Sequence, residues 1–156
     1  MAAMSDYLEN KLIDFVFRGQ TFTPSTNTWV GLLTANTNLG ITQDANTGSN
    51  VVEVSGGAYA RVRIAASNTE WSATQSSTTT LAASSGISGT TYNINAITFP
   101  VPTGADWGVI KAFGLFDAAT GGNMLFYGNL TTPKTVNNGD AAPTFSASAL
   151  SIQLDN

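Results

Sequence analysis

The sequence contains no histidine and no cysteine. Without histidine, a Ser-His-Asp triad, an imidazole base and an imidazole metal ligand are all excluded. Without cysteine, a thiol nucleophile, a disulfide framework and a thiolate zinc site are excluded as well. We therefore expect neither a metal nor another cofactor, and we interpret the chain as a protein that is not an enzyme.

Charge is also scarce: charged residues make up 10% of the chain, and the formal net charge is −4. The six lysine and arginine residues offer little to a phosphate backbone, so we expect no nucleic-acid partner. No apolar run approaches the roughly 20 residues that a membrane span needs. The first residues, MAAMSDYLENK, lack the basic start and apolar core of a secretory signal. We therefore expect no membrane insertion.

Uncharged polar residues supply the surface instead. Serine and threonine together number 36, beside 14 asparagine and 15 glycine residues. Hydrophobic residues make up 42% of the 156, which suffices for one domain with a core of its own. This composition favours strands, turns and loops over a charged helical bundle.

Residues 6–18, DYLENKLIDFVFR, predict a helix. Asp6 and Glu9 have the capping-box spacing, and Gly19 is a natural C-terminal stop. Four apolar residues fall on one stripe at helical spacing and two lie off it, so the helix is apolar on more than one side. It packs either into its own domain or against a neighbouring subunit. The candidate contact residues are Leu8, Leu12, Ile13, Phe15, Val16 and Phe17.

After the helix, the pattern changes to short strands separated by turn residues. Residues 107–131 predict a hairpin around the loop DAATGG, and NNGD at 137–140 predicts a tight turn. A switch of parity near Ala149 and Leu150 predicts a bulge or bend. The predicted strands are 28–34, 51–54, 58–64, 91–99, 107–116, 123–131 and 144–154.

One of these strands, 107–116, has two distinct faces. Trp107, Val109 and Phe113 share the face that we expect to be buried, with Lys111 as the exception. On the opposite face, small residues such as Gly114 leave room for the close approach of another backbone.

These elements predict a mainly β fold, an antiparallel β-sandwich that is jelly-roll-like and carries one N-terminal α-helix. We divide the chain into an N-terminal helix and arm (1–19) and a single β-sandwich domain (20–156). Two polar stretches, 35–50 and 72–90, interrupt the strands. Each is either a solvated loop or an exposed contact loop.

The acidic side chains do not form a convincing site. Glu53 and Glu70 are the one pair that two strands could carry, and we expect both to face water at strand edges rather than to act on a sugar. For Asp117 and Asn123, we expect a capped turn rather than a calcium site.

Three side chains are candidate surface contacts. Trp71 lies beside the Ser/Thr-rich stretch and is the best-placed aromatic residue for stacking on a sugar, whereas we expect Trp107 in the core. Arg61 and Arg63 lie on the predicted exposed face of 58–64. There they either meet carboxylates of a neighbouring subunit or face solvent.

Four blocks of the sequence also carry a resemblance. They are SDYLENKLIDFVFR (5–18), SGGAYARV (55–62), AITFP (96–100) and WGVIKAFGLFDAATGGNMLFYGNLTTPKTVNNGD (107–140). In this succession they resemble a family of small bacteriophage virion proteins, commonly described as tail-fibre proteins. The family has no catalytic residues to carry over, so the resemblance implies a structural component of the virion, assembled in the cytoplasm of the bacterial host.

The chain has neither a repeat nor a heptad shaft, which favours a protein that sits on a surface built by others. We therefore expect a capsid decoration or cement protein that packs as a homotrimer, since three-fold positions present three equivalent sites. The alternative is a short tail-fibre or tail-tip protein that binds a host-surface glycan. The expected partners are copies of itself, major capsid or tail proteins and, in the alternative, that glycan.

Overall fold

The structure is a computed structural model that describes residues 2–34 and 52–154. Within those residues the chain forms one helix, α1 (Asp6–Arg18), and nine strands. The prediction of a mainly β fold with one N-terminal helix is confirmed. The strands are β1 (Ala2–Met4), β2 (Asn27–Leu33), β3 (Val62–Ala65), β4 (Thr90–Tyr92), β5 (Ile97–Thr98), β6 (Gly108–Phe116), β7 (Met124–Val136), β8 (Thr144–Phe145) and β9 (Ser151–Gln153).

A five-stranded antiparallel sheet, in the order β1-β7-β6-β2-β3, is the largest element of the fold. The hairpin predicted at 107–131 is confirmed as β6 and β7, although β7 continues to Val136. The strand β1, which no local pattern predicts, pairs with β7 by placing Ala2 opposite Gly128. The segment before the helix is therefore part of the sheet, and the domain division at residue 19 stays a prediction.

Two short antiparallel pairs, β4–β9 and β5–β8, complete the described fold. Ile97 of β5 and Ile152 of β9 are buried in the same core cluster as Val30 and Leu32 of β2. The main core therefore lies between the large sheet and the two pairs, which gives the antiparallel, sandwich-like packing that the sequence predicts.

The strand β2 buries apolar residues on both of its faces. Val30 and Leu32 belong to the main core, whereas Leu33 joins a second, smaller cluster with Phe116 and Met124. Because successive side chains of a strand point to opposite faces, the two clusters lie on opposite sides of the sheet. This explains why residues 28–34, TWVGLLT, form an almost continuous apolar run.

The strand β6 exchanges its inward and outward faces part-way along. Its register with β7 shifts between Ile110 and Ala112, as it does at a β-bulge. Ile110 is 2% exposed and belongs to the main core, whereas Val109 is 43% exposed. The prediction that Val109 lies on the buried face is therefore wrong, because the alternation before Lys111 is reversed at this irregularity, where Lys111 stands opposite residues 130–133 of β7.

Several smaller elements differ in length from their predictions. The predicted strand 58–64 begins at Val62, and the predicted strand 91–99 is divided into β4 and β5. Glu53 forms an isolated bridge with Leu33 rather than a strand. Val51 and the stretch 35–50 lie outside the described residues.

The two predicted backbone reversals near the C-terminus are both present. The 137–140 turn is closed by the Asp140 N–H, which donates to the Asn137 carbonyl at 3.1 Å. The predicted strand 144–154 is divided into β8 and β9, and Ser148 between them has a φ of 60°. This left-handed residue directly precedes Ala149, where the switch of parity indicates a bend.

Candidate functional site

The start of α1 is fixed to the sheet by Ser5, which is fully buried. Its Oγ accepts a hydrogen bond from the Leu8 N–H at 3.3 Å and donates one to the Met124 carbonyl at 2.5 Å. Its own N–H donates to the Leu125 carbonyl at 3.0 Å. Ser5 is therefore both the N-cap of the helix and its attachment to β7.

The predicted capping pair, Asp6 with Glu9, is wrong by one residue, because Ser5 occupies the cap. The two carboxylates lie in the first turn instead, where they face the positive end of the helix dipole. At the other end, Gly19 has a φ of 67° and ends the helix as predicted.

The C-terminal half of α1 leaves its apolar side chains largely uncovered. Leu8 in the first turn is buried against the sheet, and Leu12 is half-buried. The predicted contact residues thus lie on one element, and the last four of them present much of their surface to solvent. Their exposed fractions are 50% for Ile13, 54% for Phe15, 61% for Val16 and 80% for Phe17.

A groove of about 340 Å³ lies beside the first turn of α1. Tyr7 of the helix, Phe22 of the following segment and Phe126 of β7 line it. Burial raises the pKa of Tyr127, the next residue along β7, and the negative charges of Asp6 and Glu9 raise it further.

Arg61 lies in the interior of the protein and not on a free surface. Its side chain is 7% exposed and forms a two-pronged ion pair with Glu53, with Nε–Oε1 at 2.8 Å and Nη2–Oε2 at 2.7 Å. Nη1 donates to the carbonyls of Ala118 and Gly121 at 2.7 and 2.8 Å, and the guanidinium lies 3.4 Å from the centroid of the Phe116 ring. The prediction of Arg61 as a surface contact is therefore wrong, because its donors are used within the chain.

Tyr59 extends this arrangement, which we call the Arg61 cluster and define as Arg61, Glu53, Tyr59 and Phe116. The Tyr59 hydroxyl donates to Glu53 Oε1 at 2.7 Å and accepts from the Leu32 N–H at 2.8 Å. Burial raises the pKa of Tyr59, and the adjacent Glu53 carboxylate raises it further, so the phenol stays protonated as a donor.

No local sequence pattern predicts this cluster, although glycines lie where its side chains approach the strands. A Cβ on Gly31 would lie 2.8 Å from Glu53 Oε1 and 2.9 Å from the Phe116 ring. Gly114, where the approach of another backbone was expected, leaves room instead for side chains, with Met124 Sδ 2.6 Å from the position of its absent Cβ. In both strands, the glycine admits a large side chain from a neighbouring element.

Arg63, two residues beyond Arg61, is exposed, and its Nε donates to Asn27 Oδ1 at 2.6 Å. Of the two arginines predicted as surface contacts, Arg63 is the one that lies at the surface. Trp107 is buried as predicted, with 3% exposure, and its ring meets Tyr59 edge-on at 5.3 Å between centroids.

Trp71 is half-buried: it packs against the main core and also lines a shallow groove of about 370 Å³. Ser67 and Asn68 also line this groove, together with Thr80, Ala82 and Ser84 of the Ser/Thr-rich loop. The loop and the predicted aromatic contact are therefore brought together at one surface, which we call the Trp71 groove.

The acidic residues that the sequence singled out have structural partners. Glu53 is paired with Arg61, and Glu70 Oε2 accepts from Asn95 Nδ2 at 3.1 Å. Asp117 accepts hydrogen bonds from the backbone and the side-chain amide of Asn123 at 2.7 and 2.8 Å, so the capped turn is confirmed. Among residues 2–34 and 52–154, no group of three or more acidic residues could hold a metal ion.

Over the same described ranges, no helix combines the length and the apolar character that a membrane crossing requires. Comparison with known proteins gives one family. Residues 3–153, almost the whole chain, match the family described as "Podophage GP4 fiber I protein gp80". Among curated proteins, none matches the chain.

Proposed function

The chain belongs to the family described as podophage GP4 fiber I protein gp80 and is thus a structural protein of a bacteriophage virion, and from this premise we propose that it is a fibre subunit that assembles with copies of itself into a homotrimer. In this role it transforms no substrate, and its partners are two further copies and the tail or capsid proteins to which the assembly attaches.

The observation that carries the proposal is the uncovered apolar surface of α1. At roughly 100° per residue, Ile13 and Phe17 lie on one side of the helix and Phe15 lies on the opposite side. Apolar side chains on two sides of a helix favour cover on both of those sides. The first turn of α1 is held on the sheet by Ser5, so the remainder requires cover from another chain.

The size of this surface is sufficient for assembly. Complete burial of a large apolar side chain stabilises by about 1.5–3 kcal/mol, so covering four residues that are at least half exposed contributes roughly 5 kcal/mol per subunit. Part of that gain offsets the lost freedom of the associating chains. A trimer has three such contacts around one axis, so the stabilisation from apolar burial is counted once for each subunit.

Charge does not oppose the association of several helices. In the last turns, Asp14 and Arg18 form an ion pair at 2.8 Å, so the apolar residues are not surrounded by unpaired like charges. Each copy in a three-fold assembly presents the same surface to the next, and the contact closes without free ends.

Light scattering coupled to gel filtration tests the proposal. We expect the wild type to have about three times the protomer mass of 16.2 kDa, and the variant Phe17→Asp to have a lower mass. The matched control is Ile87→Asp, which places the same charge at a residue 97% exposed in a loop and should keep the trimer mass. A wild type that remains monomeric at high concentration, or a Phe17→Asp variant that remains trimeric, would contradict the role of α1.

A capsid decoration protein is the second candidate function. It is favoured by the lack of any sequence repeat or heptad, from which a fibre shaft is commonly built. The same helix surface would then bury itself at a three-fold position of the shell, so the two candidates differ in their place on the particle and not in the contact that they use.

A further inference from the structure

We propose that the second half of α1 in one copy of the chain docks into the groove beside the first turn of α1 in the next copy. The inference rests on the proposed function, because it names the contact through which the homotrimer forms. We call residues 13–18 the helix end. We call the groove of about 340 Å³ that Tyr7, Phe22 and Phe126 line the Tyr7 groove.

The helix end extends beyond the part of α1 that the sheet covers. Leu8 is buried, whereas all residues of the helix end except Asp14 are exposed. Residues 19–21, which follow the helix, are exposed as well and give it no cover. The aromatic rings of Phe15 and Phe17 are therefore available to a second molecule.

The helix end cannot fill the Tyr7 groove of its own copy. Tyr7 in the first turn of α1 lines the groove, and Phe17 lies about 15 Å further along the same helix axis. Because α1 is continuous from Asp6 to Arg18, that separation is fixed. A helix end that occupies the groove therefore belongs to a second copy, and the contact joins two different surfaces.

The lining of the Tyr7 groove matches the apolar side chains of the helix end. Tyr7, Phe22 and Phe126 supply aromatic surface, and leucines of α1 and β7 supply aliphatic surface. The volume of about 340 Å³ lies near the lower limit for small-molecule pockets, so the groove has room for an aromatic side chain. Phe17, at 80% exposure, gains the most from this cover.

The Tyr7 groove carries negative charge. Asp117 lines it, and no lysine or arginine is among the described residues that do. Asp6 and Glu9 add two carboxylates in the helix turn that forms one wall. Burial raises the pKa of Tyr127, and these two carboxylates raise it further, so their field also reaches β7.

The helix end brings a positive charge to this surface. Arg18 directly follows Phe17, and its Nε pairs with Asp14 at 2.8 Å, while its Nη atoms have no partner within residues 2–34 and 52–154. Insertion of the Phe17 ring therefore carries the guanidinium toward the acidic groove. Attraction between opposite charges favours this arrangement over one in which helix ends meet and bring their arginines together.

Each copy carries both surfaces, so the contact repeats from one copy to the next. A contact between two different surfaces forms a closed ring where the rotation closes and an open filament where it does not. In a closed trimer, three helix ends fill three Tyr7 grooves, and each α1 touches the first turn of the next α1.

Substitution of Ala66 tests the groove without a change in the helix. Ala66 is exposed, lies outside α1 and lines the Tyr7 groove, so Ala66→Arg places bulk and positive charge where the helix end docks. In analytical ultracentrifugation, we expect this variant to need at least about a tenfold higher protein concentration than the wild type to form the trimer. The matched control, Asn68→Arg, adds the same side chain at an exposed residue outside the groove and should leave that concentration unchanged.

Substitution of Arg18 tests the charge of the other surface. Arg18→Glu should weaken the trimer severalfold, and by more at low salt than at high salt, because dissolved ions screen exposed charges. The Arg18 side chain is 68% exposed, so the substitution leaves the fold intact. Arg63→Glu, which reverses an exposed charge on the sheet, is the matched control.

A mixture of two variants separates this contact from other ways of forming a trimer. Phe17→Asp keeps an intact groove and Ala66→Arg keeps an intact helix end, so their equimolar mixture should contain heterodimers of twice the 16.2 kDa protomer mass. Trimers of Ala66→Arg and Arg18→Glu as stable as the wild type, or a mixture without heterodimers, would overturn the groove contact. The proposed function survives that result if Phe17→Asp alone still loses the trimer, whereas a monomeric wild type contradicts both.

Discussion

Replacement of Arg61 by methionine should lower the free energy of unfolding by about 3 kcal/mol. The substitution keeps an unbranched apolar stem beside Phe116 but removes the guanidinium. It therefore breaks the two-pronged pair with Glu53 and leaves the carbonyls of Ala118 and Gly121 without their donor.

The structure sets the magnitude. Removal of one partner of a buried ion pair costs about 3–5 kcal/mol, because the other charge remains without compensation. The Arg61 side chain is 7% exposed, but that of Glu53 is 24% exposed, so water can solvate part of the remaining carboxylate. Tyr59 also continues to donate to Glu53, and these two effects place the expected loss at the lower end of the range.

Urea unfolding at a fixed protein concentration measures the loss, because the stability of an oligomer depends on its concentration. For a chain of this length, about 3 kcal/mol corresponds to a fall in Tm of roughly 6–12 °C. Arg63→Met is the matched control: this arginine is exposed, makes one side-chain hydrogen bond to Asn27, and should cost less than about 1 kcal/mol. A loss below about 1 kcal/mol for Arg61→Met, or equal losses for the two variants, would refute the buried pair.

Three further predictions concern the cap, the packing and the pH dependence of the fold. Ser5→Ala removes the N-cap and leaves the buried Met124 carbonyl without its donor, so urea unfolding should show a loss of about 2 kcal/mol; an unchanged midpoint would contradict this. Gly114→Ala forces a Cβ against Met124 Sδ and Phe116, at a cost of about 1–3 kcal/mol in the same assay, and a neutral result would show that these side chains can move aside. Above the ordinary tyrosine pKa of 10.0, the unfolded chain loses the proton that folded Tyr59 keeps, so stability should fall as pH rises beyond that value. Tyr59→Phe should reduce this slope in unfolding measured from pH 8 to 11, and an identical slope would be the contrary result.

Local patterns predicted the long elements of this fold well. The helix 6–18, the hairpin 107–131 and the turn at 137–140 all depend on residues close together in sequence, and all three are present. Strand order depends on contacts between residues that are distant in sequence. The three residues of β1 are too few to show a strand pattern, so the pairing of Ala2 with Gly128 could not be predicted from them. The irregularity between Ile110 and Ala112 coincides with Lys111, the one charge that interrupts the apolar alternation of this strand.

The Arg61 cluster shows why the alternation of residues 58–64, AYARVRI, was misleading. Period two correctly indicates that Arg61 and Val62 point to opposite faces, but it does not tell whether a loop covers the polar face. Here the 117–122 loop closes over Arg61 and supplies two carbonyls, while Glu53 arrives from a separate segment. Arg63 lies on the same parity and remains exposed, so tertiary contacts alone make the difference between the two arginines.

The helix illustrates the opposite case, because the local spacing of its apolar residues already predicts that more than one side needs cover. Apolar residues on more than one side predict a helix with two possible neighbours, and the sequence left both open. The structure covers Leu8 and leaves Phe17 at 80% exposure, which favours a partner for the second half of the helix. The boundary between the covered and uncovered parts depends on where β7 ends its contact with α1, and no local pattern encodes that position.

Cryo-electron microscopy of the intact phage tests the central claim most directly, because it locates this chain on the particle. We expect three copies around the axis of a fibre at the tail, with their α1 helices in mutual contact. Density for the chain at the three-fold positions of the capsid would contradict the fibre assignment. A particle that lacks the chain altogether would contradict the virion role itself.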